Sequence, residues 1–171
     1  MITELLISGI CSCFIKAYEI AKIFSVSGGY MKKLSYIIYI FLQCTWGFFQ
    51  TFAGLIYFII SFKYPHAFYH GSVVTYRDKI GGVSLGMFIF VGEYGDKNKV
   101  AVHEFGHTIQ SLILGPFYLP VIGVISGCWC SLPYFKKLRR EKNVSYNSCF
   151  TESWANDLGK KFLSQPSTKD E

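Results

Sequence analysis

The chain has 171 residues, one domain's worth, so a multidomain enzyme is excluded and any active site must be compact. Apolar residues make up 51% and charged residues only 16%, against roughly 25% charged in ordinary soluble domains, which points toward lipid; the 16 Phe, 12 Tyr and 3 Trp exclude a disordered chain. The net charge of +6 is local, because the run Lys136, Lys137, Arg139, Arg140, Glu141, Lys142 carries +4 of it. A basic patch beside apolar sequence reads first as a positive-inside or anionic-lipid contact. No aromatic-interleaved basic platform accompanies it, so no nucleic-acid partner is expected.

Residues 1–30 contain an apolar stretch, Leu5 to Phe24, weakened as a span by Lys16, Glu19 and Lys22. It reads as an interfacial or packed helix, and no small-residue site follows it as a signal peptide requires. Met31-Lys32-Lys33 followed by apolar sequence reads as a translation start with a cytoplasmic anchor. Residues 1–30 are therefore expected to be a dispensable extension, 31–163 the membrane-associated domain, and 164–171 a flexible tail.

From Leu34 to Phe62 no charge occurs over 29 residues. As one helix these would reach about 43 Å, beyond a hydrocarbon core of about 30 Å, so a tilted, bent or re-entrant segment is expected. Gly47 and Gly54 interrupt it, and Gln43, Thr45, Trp46 and Gln50 form a polar cluster facing protein or water. Further on, Ser72–Tyr76 and Val83–Val91 are rich in β-forming residues around Asp78-Lys79-Ile80-Gly81-Gly82, which predicts a single β-hairpin. A second uncharged stretch, Thr108 to Phe135, is divided by Gly115-Pro116, Pro120 and Pro133. It predicts a helix to about Leu114, a break, and a short membrane segment. The six cysteines, Cys11, Cys13, Cys44, Cys128, Cys130 and Cys149, form no CxxC pair and read as small buried hydrophobes.

His103-Glu104-Phe105-Gly106-His107 fits the pattern HExxH. On a helix the two histidines lie about 40° apart in projection and one turn apart in height, so both imidazoles can reach one Zn²⁺. Phe105, Ile109, Leu112 and Ile113 fall on the opposite side, giving an apolar back to pack and a polar front. Glu104 lies on the flank of that front, where a general base stands without being a ligand. Two histidines leave the site short of a third protein ligand. Glu152 is the first candidate: it opens a helical pattern in which Glu152, Ala155, Asn156 and Gly159 share one face and Trp154, Leu158 and Phe162 another. Asn156 can offer its side-chain oxygen to a ligating histidine's free N–H. Thr151 would serve as N-cap. Asp157, Glu93 and His70 are reserve third ligands, and His66, His70 and Tyr146 are candidate oxyanion partners.

An HExGH helix between membrane segments, followed by a Glu-x-x-x-Asn helix, resembles the gluzincin zinc metalloproteases. It is most similar to the integral-membrane HtpX and CAAX-prenyl-protease type, which carries Asp where this chain has Asn156. The resemblance implies His103, His107 and Glu152 as ligands and Glu104 as catalytic base. It also implies a zinc-activated water, a peptide or membrane-protein substrate, and location in a lipid bilayer, the bacterial cytoplasmic membrane. The expected fold is a mainly α membrane protein with a small β-hairpin (α+β), the metal helix packed against the C-terminal Glu-bearing helix. The expected function is a membrane-bound zinc endopeptidase, the alternative a non-catalytic scaffold or immunity-type protein with a structural zinc. A substrate strand could pair with an edge of Val83–Val91.

Overall fold

The structure, a computed structural model, describes residues 29–78, 81–92 and 96–164, with side chains from Ser35 onward. The Leu5–Phe24 helix, the extension ahead of residue 29, the tail beyond Ser164, and Glu93 lie outside the described residues. The protein is mainly helical, with a small mixed sheet of four strands.

The uncharged first stretch is bent. Helix α1 (Gly29–Thr45) stops at Trp46-Gly47 and α2 (Phe48–Ile60) follows. Its start, two residues ahead of Met31, carries the helix across the expected domain boundary. Of the polar cluster, Gln43 and Gln50 face protein. Gln43 Nε2 donates to the carbonyl of Thr108 at 3.0 Å, and Gln50 Nε2 to Ser111 Oγ at 2.8 Å and to the carbonyl of Gly115 at 3.0 Å. Ser111 Oγ donates to Gln43 Oε1 at 3.0 Å. Thr45 is exposed and bonds back to its own helix at Phe41. The amphipathicity of α2 is inverted: Gln50, Thr51 and Gly54 point in, while Phe48, Phe49, Phe52, Leu55, Ile56, Ile59 and Ile60 point out.

The expected single hairpin is not what forms. Strands β1 (His66–Tyr69), β2 (Ser72–Tyr76), β3 (Val83–Leu85) and β4 (Phe88–Val91) line up in the order β1-β2-β4-β3. β2 and β4 run parallel, with antiparallel hairpins β1–β2 and β3–β4 on either side. Val83–Val91 is itself a hairpin, closed at Gly86-Met87 with Leu85 opposite Phe88. Gly86 has φ +61°, which glycine adopts without penalty at the first position of such a turn. No hairpin therefore joins β2 to Val83–Val91, since β2 pairs with β4 in parallel, although the glycines ahead of β3 had suggested a turn. β1 was invisible in the sequence because His66-Ala67-Phe68-Tyr69 is mostly exposed and lacks alternation.

β4 is central and buried throughout. Its side chains alternate between two layers, as the strand period requires. Phe88 packs tilted against Phe58 and Phe90 edge-on against Tyr57 of α2. Ile89 and Val91 enter the core with Val74, Tyr39, Phe105, Ile109, Leu112, Ile113 and Leu158. On that side lies α3 (Lys97–Leu114), capped by Asp96, whose carboxylate accepts from the Asn98 N–H at 2.9 Å. Every residue from Ala101 to Gly115 is buried.

The second uncharged stretch breaks as expected. A 3₁₀ turn (Gly115–Phe117) and a π-helical turn (Leu119–Gly123) lead into α4 (Val124–Ser131), and α3 and this second arm are bent by 115°. Among the described residues no single helix is long and apolar enough to cross a membrane; this bent pair passes that test only as a pair. The basic run forms α5 (Pro133–Lys142). A 3₁₀ turn (Tyr146–Ser148) then precedes α6 (Phe150–Leu163). Cys11 and Cys13 lie outside the described residues, and the other four cysteines do not conform to the buried expectation: Cys44 and Cys130 are exposed, Cys128 and Cys149 half-buried, all four free. They ride on apolar segments whose outer faces are uncovered.

α3 and α6 touch backbone to backbone. A Cβ on Gly106 would stand 1.8 Å from the carbonyl oxygen of Ala155, and one on Gly159 2.1 Å from that of Val102. Gly106→Ala is thus expected to lower stability by about 1–3 kcal/mol through overpacking. That outweighs a helix-propensity gain of at most about 1 kcal/mol. A Tm in detergent several degrees below wild type checks it; an unchanged Tm would mean that the two helices part at no cost.

Candidate metal centre

Close approach of α3 and α6 brings three ligand-type side chains together. His103, His107 and Glu152 are buried, with one ligating atom of each within 4.8 Å of the others. Nε2 of His103 lies 3.2 Å and Nε2 of His107 3.5 Å from Glu152 Oε2. The two rings are perpendicular, with centroids 4.9 Å apart.

The far side of each imidazole is held as well. His103 Nδ1 meets Asn156 Oδ1 at 3.0 Å, and His107 Nδ1 meets Gln110 Oε1 at 2.7 Å. An amide oxygen only accepts, so each Nδ1 carries a proton, and on a neutral imidazole that leaves the Nε2 lone pair, directed at the carboxylate, as the metal-binding atom. The amide orientations are fixed in turn: Asn156 Nδ2 donates to the carbonyl of Glu152 at 3.0 Å, and Gln110 Nε2 to the carbonyl of Thr151 at 2.9 Å. Converging lone pairs on two neutral imidazoles and a carboxylate repel unless a cation sits among them. Tetrahedral zinc with bonds of about 2.0–2.1 Å separates its ligand atoms by about 3.3 Å, close to the two measured distances to Glu152. The donor set therefore fits a metal ion.

With no ion between them the rings meet the carboxylate through protons on Nε2. Burial works to raise the Glu152 carboxyl, but hydrogen bonds from His103 and His107 and the charge of His107 hold it well below the usual carboxylate range, while His107 is raised, against its burial, by Glu152 and Glu104. Its second oxygen accepts from Ser126 and, at 3.4 Å, from Thr151 Oγ1. Thr151 is not the N-cap. Helix α6 begins one residue earlier at Phe150, with Cys149 in the cap position and no side-chain cap bond.

Glu104 is 4% exposed and lies beside the trio. It opens, with His107 and Glu152, onto a cleft of about 580 Å³ between β3 and the arm after the bend. Val83, Leu119, Ile122 and Val124 give that cleft apolar walls. Ser84 Oγ stands 2.8 Å from Glu104 Oε2 and 2.7 Å from the Glu104 carbonyl oxygen.

Tyr146 lines the same cleft. Burial, then the charge of Glu152, pushes its hydroxyl well above the ordinary tyrosine range, so it stays a proton donor. The other reserve residues are elsewhere. His70 sits in the β1–β2 turn with φ +49°, its ring against Tyr69 and Phe105, on the apolar back of α3. His66 lies at the start of β1, within 3.1 Å of Thr75 Oγ1 and 3.0 Å of the Phe62 carbonyl. Asp157 is exposed on α6, outside the ligand group.

Gln110, Ser84, Ser126 and Tyr118 were not foreseen. Gln110 had a local signal, three residues after His107 on the same helix. Ser84 had a fainter one, a lone polar residue between Val83 and Leu85 in an apolar strand. Ser126 and Tyr118 had none, since only the 115° bend brings their segment over the site. No protein-family profile, curated protein or solved structure matches the chain.

Proposed function

We propose that this protein is a membrane-bound zinc endopeptidase of gluzincin type. The observation that carries the reading is the open cleft: it reaches His107, Glu152 and Glu104 together, so a peptide could approach the metal position and the base at once. Among the described residues only three ligating groups meet, where a structural zinc would have four and be closed off. That disfavours the scaffold alternative.

His103, His107 and Glu152 would hold the ion. Zinc, when bound, supplies Lewis acidity that polarises a peptide carbonyl and makes water acidic enough to attack near neutral pH. Glu104 takes the proton from the attacking water onto its carboxylate and passes it to the departing amine nitrogen as the C–N bond breaks. The Tyr146 hydroxyl donates toward the negative charge that develops on the carbonyl oxygen. Edge strand β3 offers backbone to an extended substrate. In a hairpin closed by two residues, Leu85 and Phe88 bond each other, so Ser84 turns its N–H and C=O outward. Tyr118 already donates to that carbonyl at 3.3 Å, which leaves the Ser84 N–H for the substrate.

Inverted α2 supports lipid as the surrounding solvent. Seven large apolar side chains point outward from a helix whose inner face is polar, an arrangement that water would penalise at about 25 cal/mol per Å² and lipid would not. Phe117, Val121, Val124 and Ile125 extend this exposed apolar surface on the arm after the bend. Helix α5 follows with exposed Lys136, Lys137 and Arg140, matching the cytoplasmic side by the positive-inside rule. Two straight spans would leave His103 and Glu152 on opposite sides of a bilayer; the breaks at Trp46-Gly47 and Gly115–Gly123 are compatible with re-entrant segments that keep both on one side.

Purified in detergent, the protein is expected to carry about one zinc per chain by metal analysis. It should cleave labelled casein, lose both metal and cleavage to a strong chelator, and regain both with one equivalent of zinc. Full cleavage by metal-free protein would overturn the reading, and full zinc without any cleavage would favour the scaffold.

A further inference from the structure

We propose that Ser84 is the positioning residue for the Glu104 carboxylate, so that the edge strand, and not the metal helix alone, aims the base. The inference rests on the reading of Glu104 as general base.

A glutamate side chain has three rotatable bonds, and on a helix flank nothing intrinsic selects the rotamer that serves a reacting water. Here one carboxylate oxygen is bonded and the other lies close against the backbone. Ser84 Oγ lies 2.8 Å from Oε2. On the other side a Cβ on Gly82 would stand 1.9 Å from Oε1, so only glycine's bare α-carbon leaves that oxygen its place. Ser84 is itself fixed. It is 7% exposed, its strand pairs with β4 through the register Ser84 to Ile89, and its carbonyl takes the Tyr118 hydroxyl. The turn beyond it is pinned too, since a Cβ on Gly86 would meet Thr51 of α2 at 2.1 Å.

A hydroxyl has one proton, and two acceptors compete for it: Oε2, and the Glu104 carbonyl at 2.7 Å. The carboxylate is the stronger acceptor because it is charged. If Ser84 served only to tie β3 to α3, the carbonyl would suffice. As a positioning group it must lean on the side chain.

The test uses the full chain in detergent, loaded with zinc, with labelled casein as probe and Glu104→Gln as control. Ser84→Ala is expected to lower kcat about tenfold or more, with KM within twofold and zinc content unchanged, as misplacing a reacting group does. Ser84→Thr, which keeps the hydroxyl, is expected to recover most of the rate. If Glu104→Gln is inactive while Ser84→Ala matches wild type, the inference falls and the peptidase reading stands. If Glu104→Gln matches wild type, the peptidase reading falls with it. A second measurement needs no activity: denaturant unfolding of metal-free wild type, Ser84→Ala, Glu104→Ala and the double variant. Ser84→Ala is expected to raise the unfolding constant about tenfold in wild type and less than threefold when Glu104 is already Ala. Equal effects in both backgrounds would assign the hydroxyl to the carbonyl and overturn the proposal.

Discussion

Glu104→Gln is expected to cut casein cleavage by about 10²-fold or more while zinc stays at one per chain, since glutamine keeps the size of the side chain but cannot accept the proton of the attacking water. The fold should tolerate the change. Glu104 makes no contact with the ligand trio as short as those within it, and Ser84 can still donate to an amide oxygen. Zinc analysis and a rate measurement on the same preparation check both halves. Equal rates for variant and wild type would remove Glu104 from the chemistry.

The second large effect is on the metal. His103→Ala or His107→Ala is expected to take zinc occupancy from about one to near zero, because two remaining donors hold zinc poorly. Glu152→Gln should lower occupancy by about tenfold or more and Asp157→Asn not at all, as Asp157 is exposed on α6 and outside the group. The reverse order for these two would move the third ligand. Retention of zinc by a His103→Ala/His107→Ala double variant would remove the site altogether.

The ligand trio could be read in the sequence because each half of it is local. His103 and His107 are four apart on one helix, and Glu152 and Asn156 are four apart on another, so helical periodicity alone puts each pair on one face. Ala155 and Gly159, small residues on the Glu152 face, hinted that a neighbouring helix comes near. The sheet was less legible for the opposite reason. A parallel pairing of β2 with β4 depends on a crossover, and nothing in Asp78–Gly82 distinguishes a crossover from a turn; only the run Gly86-Met87 inside an apolar stretch carried the signal. The cleft was illegible, because its second wall arrives through a 115° bend next to Gly115, which packs closely against Trp46. Prolines and glycines said where the chain would break but not which way it would turn.

The pair of glutamines that joins the first two helices to α3 has a consequence for how the molecule assembles. On the proposed reading, in which lipid surrounds these helices, there is little to gain from pressing one apolar helix against another, so association depends on packing and on hydrogen bonds, which are directional. Gln43 reaches Thr108 and Ser111, and Gln50 reaches Ser111 and Gly115; between them they take the carbonyl of Thr108 in α3 and that of Gly115 just past its end, about two turns apart, and share one serine. Sliding α1 and α2 along α3 by a single turn would leave both amides facing Leu112 and Ile113 or the empty side of a neighbouring turn, with donors buried and unpaired at a cost of about 1–3 kcal/mol each. A greasy surface would have tolerated such a slip. Two amides admit only one longitudinal setting, and because α2 also carries the Gly86 turn of β3, that setting determines how high on the metal helix the edge strand stands.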